Sequence, residues 1–299
     1  MKLSRTSASK GAGSAEVTGF YDADTGSIQY LVSDPETRKA ALIDTVLSFD
    51  HKSASTCTDS VDAILRYAET EGLEIDWILD THPHADHLMA SSYLKDRVGK
   101  PNAIGEKIKD IAVLWRDYYN LPDAFEPERD FDHLFADGDT FQIGELPVRV
   151  MLSPGHTLGS ISYIVGNDAA FAHDTFMQPD AGTSRADFPG GTTDDLWNSL
   201  QALLALPDDT RLFIGHDYGT EHRPGPEWES TVAEQRRHNI HLGGGASRES
   251  YVEQREARDK TLALPDRMLH VLQMNLRAGR APDPEPDGHS YLKIPLNRF

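Results

Sequence analysis

Thr81-His82-Pro83-His84-Ala85-Asp86-His87 packs three histidines and a carboxylate into one short stretch. Trp77-Ile78-Leu79 before it reads as a buried strand, and Leu88 to Leu94 after it reads as the start of a helix. The stretch therefore falls on a strand-to-helix turn, where a rigid scaffold can present a functional loop. Imidazole and carboxylate are the usual ligands of zinc and non-haem iron. His82 and His84 are two residues apart, so extended backbone points both the same way. Asp86 and His87 follow on the turn. The plain alternative is a polar loop that happens to be rich in histidine. It loses ground to what lies downstream. Ser153-Pro154-Gly155-His156-Thr157, Phe171-Ala172-His173-Asp174-Thr175 and Phe213-Ile214-Gly215-His216-Asp217 each place a ligand-type residue directly after an apolar, strand-like run.

The rest of the composition narrows the class. The 299 residues suffice for one large α/β domain or two modest ones. Net charge is -19, with 48 acidic residues against 29 basic ones, which argues against a general nucleic-acid or anionic-membrane surface. Cys57 is the single cysteine, so no disulfide forms within the chain, and nothing marks this thiol as activated. No run is long and apolar enough for a membrane helix. Met1-Lys2-Leu3-Ser4-Arg5 lacks the apolar core of a secretory signal, so a cytoplasmic location is expected. Residues 1–15 are small and polar and read as a flexible tail.

Residues 16–220 read as alternating strands and helices, the pattern of an α/β core. Strands are expected at Val17 to Tyr21, Ser27 to Val32, Ala40 to Asp44, Val148 to Leu152, Ile161 to Val165, Ala169 to Ala172 and Arg211 to Ile214. Ala136-Asp137-Gly138-Asp139 carries a hairpin signal. Helical spacing falls on Val61, Ile64, Leu65 and Ala68, and again on Ile108, Ile111, Leu114 and Trp115. Residues 221–299 read as a mainly helical C-terminal extension of the same domain. Leu269 to Leu276 suits either a helix or a strand. The extension could cover a substrate cleft or the face of a homodimer.

The row His82-Pro83-His84-Ala85-Asp86-His87 resembles the His-x-His-x-Asp-His motif of the metallo-β-lactamase superfamily. His156, Asp174 and His216 match its later ligand positions in order and in strand-end context. The resemblance implies an αβ/βα sandwich with the metal site at one edge of two packed sheets. The same residues allow two sites. A dinuclear zinc hydrolase would use His82, His84 and His156 on one metal and Asp86, His87 and His216 on the second, with Asp174 bridging, to make a hydroxide nucleophile. A mono-iron dioxygenase would use only His82, His156 and Asp174, leaving positions open for substrate and oxygen. His84, Asp86, His87 and His216 would then orient the ligands.

Local sequence favours the second. Gly182-Thr183-Ser184-Arg185-Ala186-Asp187-Phe188 resembles the Arg-x-Asp-Phe segment of persulfide dioxygenases, and Gly215-His216-Asp217-Tyr218 is similar to that family. Gln273-Met274-Asn275-Leu276-Arg277-Ala278-Gly279 and the ending Tyr291 to Leu296 are similar to bacterial members known as β-lactamase-like hydrolases. The resemblance implies a role in sulfur metabolism: one Fe(II) per chain, with glutathione persulfide and O2 as the small-molecule partners and sulfite and glutathione as products. Arg185 would bind a glutathione carboxylate or hold the loop. Tyr218 would offer a hydroxyl near the substrate, beside His82, His156 and Asp174. The alternative is two Zn(II) in a glutathione thioesterase of the glyoxalase II type. Neither activity calls for a nucleic acid or a membrane.

Overall fold

Every residue of the strand Ile28–Ser33 is buried, because alternate side chains enter two different cores. Ile28, Tyr30 and Val32 join one apolar cluster and Leu31 joins another. Lys39–Ile43 repeats the pattern, with Ala41 and Ile43 on the first side and Ala40 and Leu42 on the second. A strand with two apolar faces belongs in a sheet covered on both sides. The computed structural model, which describes residues 3–299, contains that sheet and a second one packed on it. The first sheet has the order Ser4–Ser7, Glu16–Tyr21, Ile28–Ser33, Lys39–Ile43, Glu74–Leu79, Asn102–Gly105, His133–Phe135. The second has the order Thr140–Ile143, Leu146–Leu152, Ile161–Val165, Ala169–His173, Arg211–Ile214, Glu229–Thr231.

The inner faces meet in one core, where the Tyr30 ring lies edge-on to Phe171 and Phe213 at 5.2 and 5.6 Å. The helices Asp59–Thr70 and Ser91–Val98 cover the first sheet through Val61, Ile64 and Leu94. The helix Thr193–Leu204 brings Leu196, Leu200 and Leu203 to the core of the second sheet. Its first turn is capped by Thr192, whose hydroxyl accepts from the Asp195 amide. This is the αβ/βα sandwich that the resemblance implies. Among the described residues four strand pairs run parallel: Lys39–Ile43 with Glu74–Leu79, Glu74–Leu79 with Asn102–Gly105, Asn102–Gly105 with His133–Phe135, and Ala169–His173 with Arg211–Ile214.

Three expectations need correction. The residues read as a flexible tail include the strand Ser4–Ser7, paired antiparallel with Glu16–Tyr21; Met1 and Lys2 lie outside the described residues. Small polar residues are ordered there because Arg211 is buried beneath them. Its guanidinium donates to both Asp168 oxygens at 3.1 Å, to the Ser7 and Ser14 hydroxyls and to the Ala15 carbonyl. The turn 136–139 is not a hairpin: His133–Phe135 belongs to the first sheet and Thr140–Ile143 to the second, so this turn carries the chain between them. Between Asp44 and the helix Asp59–Thr70, the strands Val46–Asp50 and Ser55–Cys57 join Leu88–Met89 in a small third sheet. Leu88 and Met89 are therefore strand, and the helix starts at Ser91. The ambiguous 269–276 segment is the helix Met268–Asn275.

Arg211→Ala would leave the buried Asp168 carboxylate with only the half-exposed Lys10, 3.8 Å away, and release the N-terminal strand. Denaturant unfolding should show a loss of about 3–5 kcal/mol, with faster amide exchange over residues 4–15.

Candidate metal centre

The ligand-type residues emerge where strands of the two sheets end. His82 to His87 follow Glu74–Leu79, His156 follows Leu146–Leu152, Asp174 follows Ala169–His173 and His216 follows Arg211–Ile214. The register shifts between Phe171 and His173, and His173 has a φ of 40°. That irregularity separates Asp174 from the regular pleat. Gly215 makes room for it, since a Cβ there would lie 2.5 Å from Asp174 Oδ1. Gly155, at a φ of 128°, lets the turn before His156 pass against the backbone of Leu196.

His82, His156 and Asp174 bring one ligand atom each to a single point. Asp174 Oδ2 is 3.5 Å from His82 Nε2 and 3.5 Å from His156 Nε2. Ligand atoms about 2.1 Å from a shared ion stand at about this separation. Both rings are pinned through their other nitrogen. The Thr81 hydroxyl donates to Asp44 Oδ2 at 2.8 Å, so it accepts from His82 Nδ1 at 3.0 Å. His156 Nδ1 donates to the Arg185 carbonyl at 2.9 Å. Each ring therefore turns an Nε2 lone pair to the common point. His82 Nε2 is buried and has no hydrogen-bond partner among the described residues, the condition of a nitrogen shaped for a metal. Burial and the neighbouring histidines hold His82 well below the usual imidazole pKa, which keeps that lone pair available.

A second group of His84, Asp86, His87 and His216 lies beside the first. His84 Nδ1 and His87 Nε2 are buried without hydrogen-bond partners among the described residues. His216 differs. Its Nδ1 is 2.6 Å from Asp174 Oδ1 and its Nε2 is 2.6 Å from Asp86 Oδ2. Burial alone would lower its pKa, but these two carboxylates outweigh burial and raise it well above the usual value. Ser27 Oγ lies 2.9 Å from both His87 Nδ1 and His216 Nε2.

The centre opens into a cavity of about 640 Å³. Tyr218 lies on its wall, largely exposed, with its ring stacked on His216 at 5.8 Å. Arg185 also lines the cavity, but its guanidinium is committed to Asp187 at 2.6 and 2.9 Å and to the Ala263 carbonyl, and it lies over the Phe188 ring. Of the two roles open to Arg185, this structure gives it the loop-holding one. His173 is set apart from both ligand groups, its Nε2 held by the Ser153 and Thr175 hydroxyls.

Several residues that build the centre gave no signal in the sequence. Asn275 donates to the carbonyls of His84 and His87 at 2.7 and 2.8 Å and accepts from the Met89 amide, so the last helix fixes the histidine loop. Asp44 ends its strand within reach of Thr81 and His84. Only the strand-end position of Asp44 could have pointed to it. Asn275 lies far away in sequence, inside a segment flagged solely by resemblance.

A two-sheet sandwich with histidine and aspartate clusters at one edge is the architecture of a metallo-β-lactamase-type fold with a candidate metal site. Residues 26–216 match the metallo-beta-lactamase superfamily, and the chain belongs to it. It is 55% identical over 281 residues to a "Beta-lactamase hydrolase-like protein" of Xylella fastidiosa, an alignment covering 94% of this chain and 64% of that protein. The chain thus spans less than two thirds of that relative's length. A "Probable metallo-hydrolase" of Burkholderia pseudomallei is 42% identical over 94% of this chain and 99% of its own. The crystal structure of ETHE1 from Myxococcus xanthus superposes with a TM-score of 0.69 at 29% identity, covering 88% of this chain and 98% of that one.

His241 on the cavity wall supplies a pH test away from the ligands. Its Nδ1 accepts from the Thr183 amide at 3.0 Å, which requires a neutral ring. Burial, then the Arg255 and Arg258 cations, lower its pKa to about 4 from 6.5. Between these values the unfolded chain takes up a proton that the folded chain refuses, so this contribution to stability falls as pH drops from 6.5 towards 4. His241→Gln should flatten the stability profile in that window, as read by denaturant midpoints at successive pH values.

Proposed function

We propose that this chain is a non-haem iron persulfide dioxygenase of the cytoplasm, acting on glutathione persulfide or a similar low-molecular-weight persulfide. The observation that carries this reading is the commitment of His216. With both ring nitrogens on carboxylates, it serves Asp174 as an orienting donor rather than as a ligand. That leaves His82, His156 and Asp174 as a two-histidine, one-carboxylate set, the donor chemistry of mono-iron oxygenases. The likeness to ETHE1 supports the same reading. The balanced reaction converts the persulfide, O2 and one water into thiol, sulfite and two protons. Iron(II), when bound, would supply a site for the terminal persulfide sulfur and the means to activate oxygen beside it.

The protein's own groups hold and orient. Met177, Phe188, Leu262 and Pro265 line the cavity with apolar surface that excludes water from the reacting sulfur. Tyr218 presents its ring over His216 at the entrance. Arg258 and Arg267 reach the same cavity from the C-terminal extension. Arg258 bonds only the Thr261 hydroxyl, and Arg267 bonds only the Phe49 and Asp24 carbonyls, so neither guanidinium is neutralised among the described residues. Asp24 and Asp266 share that rim. Charges of both signs suit a zwitterionic thiol such as glutathione, which carries two carboxylates and an ammonium group.

A second reading rests on the neighbouring group of His84, Asp86, His87 and His216, and on the metallo-hydrolase relative. In that case two Zn(II) would serve a glutathione thioesterase. The two separate by oxygen uptake on glutathione persulfide. Uptake should be lost in His82→Ala, His156→Ala and Asp174→Ala. Arg267→Ala should raise KM about tenfold with a smaller change in kcat, and the wild-type KM should rise with salt. Thioester hydrolysis without persulfide-dependent uptake would contradict the proposal.

A further inference from the structure

We infer that Arg255 and Asp259, on the helix Arg248–Asp259, are positioning residues that hold the metal-facing ring of His156 through a single peptide unit. The inference rests on His156 being a metal ligand, not on the oxidation chemistry.

The two side chains form an i,i+4 ion pair, 2.6 Å from Arg255 Nη2 to Asp259 Oδ1, and each residue is 4% exposed. Taking two charges out of water is costly, and an apolar pair of the same size is often as stable or more so. What an apolar pair could not do is make the next two bonds. Arg255 Nη1 donates to the Thr183 carbonyl at 2.8 Å, and Asp259 Oδ2 accepts from the Ala186 amide at 2.9 Å.

The Ala186 N–H and the Arg185 C=O are the two poles of one peptide group, which is planar and rigid. The Arg185 carbonyl is the atom that accepts from His156 Nδ1 at 2.9 Å. A carboxylate on the N–H pole therefore fixes the plane that aims the carbonyl at the imidazole. It also polarises the peptide, making the carbonyl a stronger acceptor and His156 Nε2 a better donor to a metal. Metal-ligating histidines commonly lean directly on a carboxylate; here the carboxylate acts one peptide away. The same loop is bonded to the extension at other points, through the Tyr251 hydroxyl on Thr183 at 2.9 Å and Asn239 on the Gly182 carbonyl at 2.8 Å. The C-terminal extension thus helps to set the metal site and does more than cover the cavity.

The test measures Co(II) affinity by chelator competition, together with the visible absorption of the Co(II) form, in the full chain. Asp259→Asn should bind Co(II) about 10- to 100-fold more weakly and shift the absorption bands. Arg255→Lys, which keeps the charge but loses the fork, should move both in the same direction by less. Val61→Ala, a cavity in the opposite core, controls for lost stability and should leave affinity and spectrum unchanged. Asp259→Asn binding Co(II) as tightly as Val61→Ala would overturn the inference. His156→Ala binding Co(II) like wild type would instead remove the ligand assignment beneath it. Should Asp259→Asn fail to fold, hydrogen exchange on the unaltered protein decides. Co(II) should slow exchange in both 182–188 and 248–259, and protection confined to the histidine loops would overturn the inference.

Discussion

The hydrogen bond between His216 Nδ1 and Asp174 Oδ1, at 2.6 Å, ties together the ends of two adjacent parallel strands. Most of the centre depends on it. It occupies one oxygen of Asp174 and leaves the other 3.5 Å from both His82 Nε2 and His156 Nε2. Glycine at 215 is the steric condition for this, because a side chain there would strike the same carboxylate. The opposite nitrogen of His216 reaches Asp86, so one imidazole links the strand ends of the second sheet to the histidine loop of the first. Two sheets that pack by apolar contact alone could slide by a fraction of an ångström. A buried imidazole held between two carboxylates fixes their relative position at the edge where a metal would need it.

Charge is distributed to the same end. The chain carries a net charge of -19, yet several of its buried acids meet a cation. Asp168 meets Arg211, Asp217 meets Arg223, Asp259 meets Arg255, and Asp174 and Asp86 meet His216. Arg258 and Arg267, at the cavity, remain without an acidic partner among the described residues. Cations on an otherwise acidic protein, gathered beside the edge that carries the ligand-type residues, are a local rather than a global signal. The overall charge therefore says little about what the cavity admits.

The fold was largely legible in the sequence because both of its organising signals are local. Apolar runs in the first sheet alternate between two cores, and each ligand-type residue stands directly after such a run. The ligand groups were legible for the same reason. What escaped were features set by distant partners. Ser4–Ser7 is ordered by a buried arginine about two hundred residues away, and Val46–Asp50 pairs with the distant Leu88–Met89 as well as with its neighbour Ser55–Cys57. The turn at 136–139 has hairpin chemistry but connects two sheets, a distinction no turn residue encodes. Asn275, Arg255 and Asp259 act on the centre across long sequence separations, and as single polar residues in helices they look like solvated surface.

Metal stoichiometry in protein purified without oxygen tests the central claim most directly. If His216 orients Asp174 and only His82, His156 and Asp174 bind, the chain should hold about one iron, and persulfide-dependent oxygen consumption should scale with that iron. About two zincs per chain, with no oxygen consumption after iron is supplied, would contradict the account and assign His84, Asp86, His87 and His216 to a second metal.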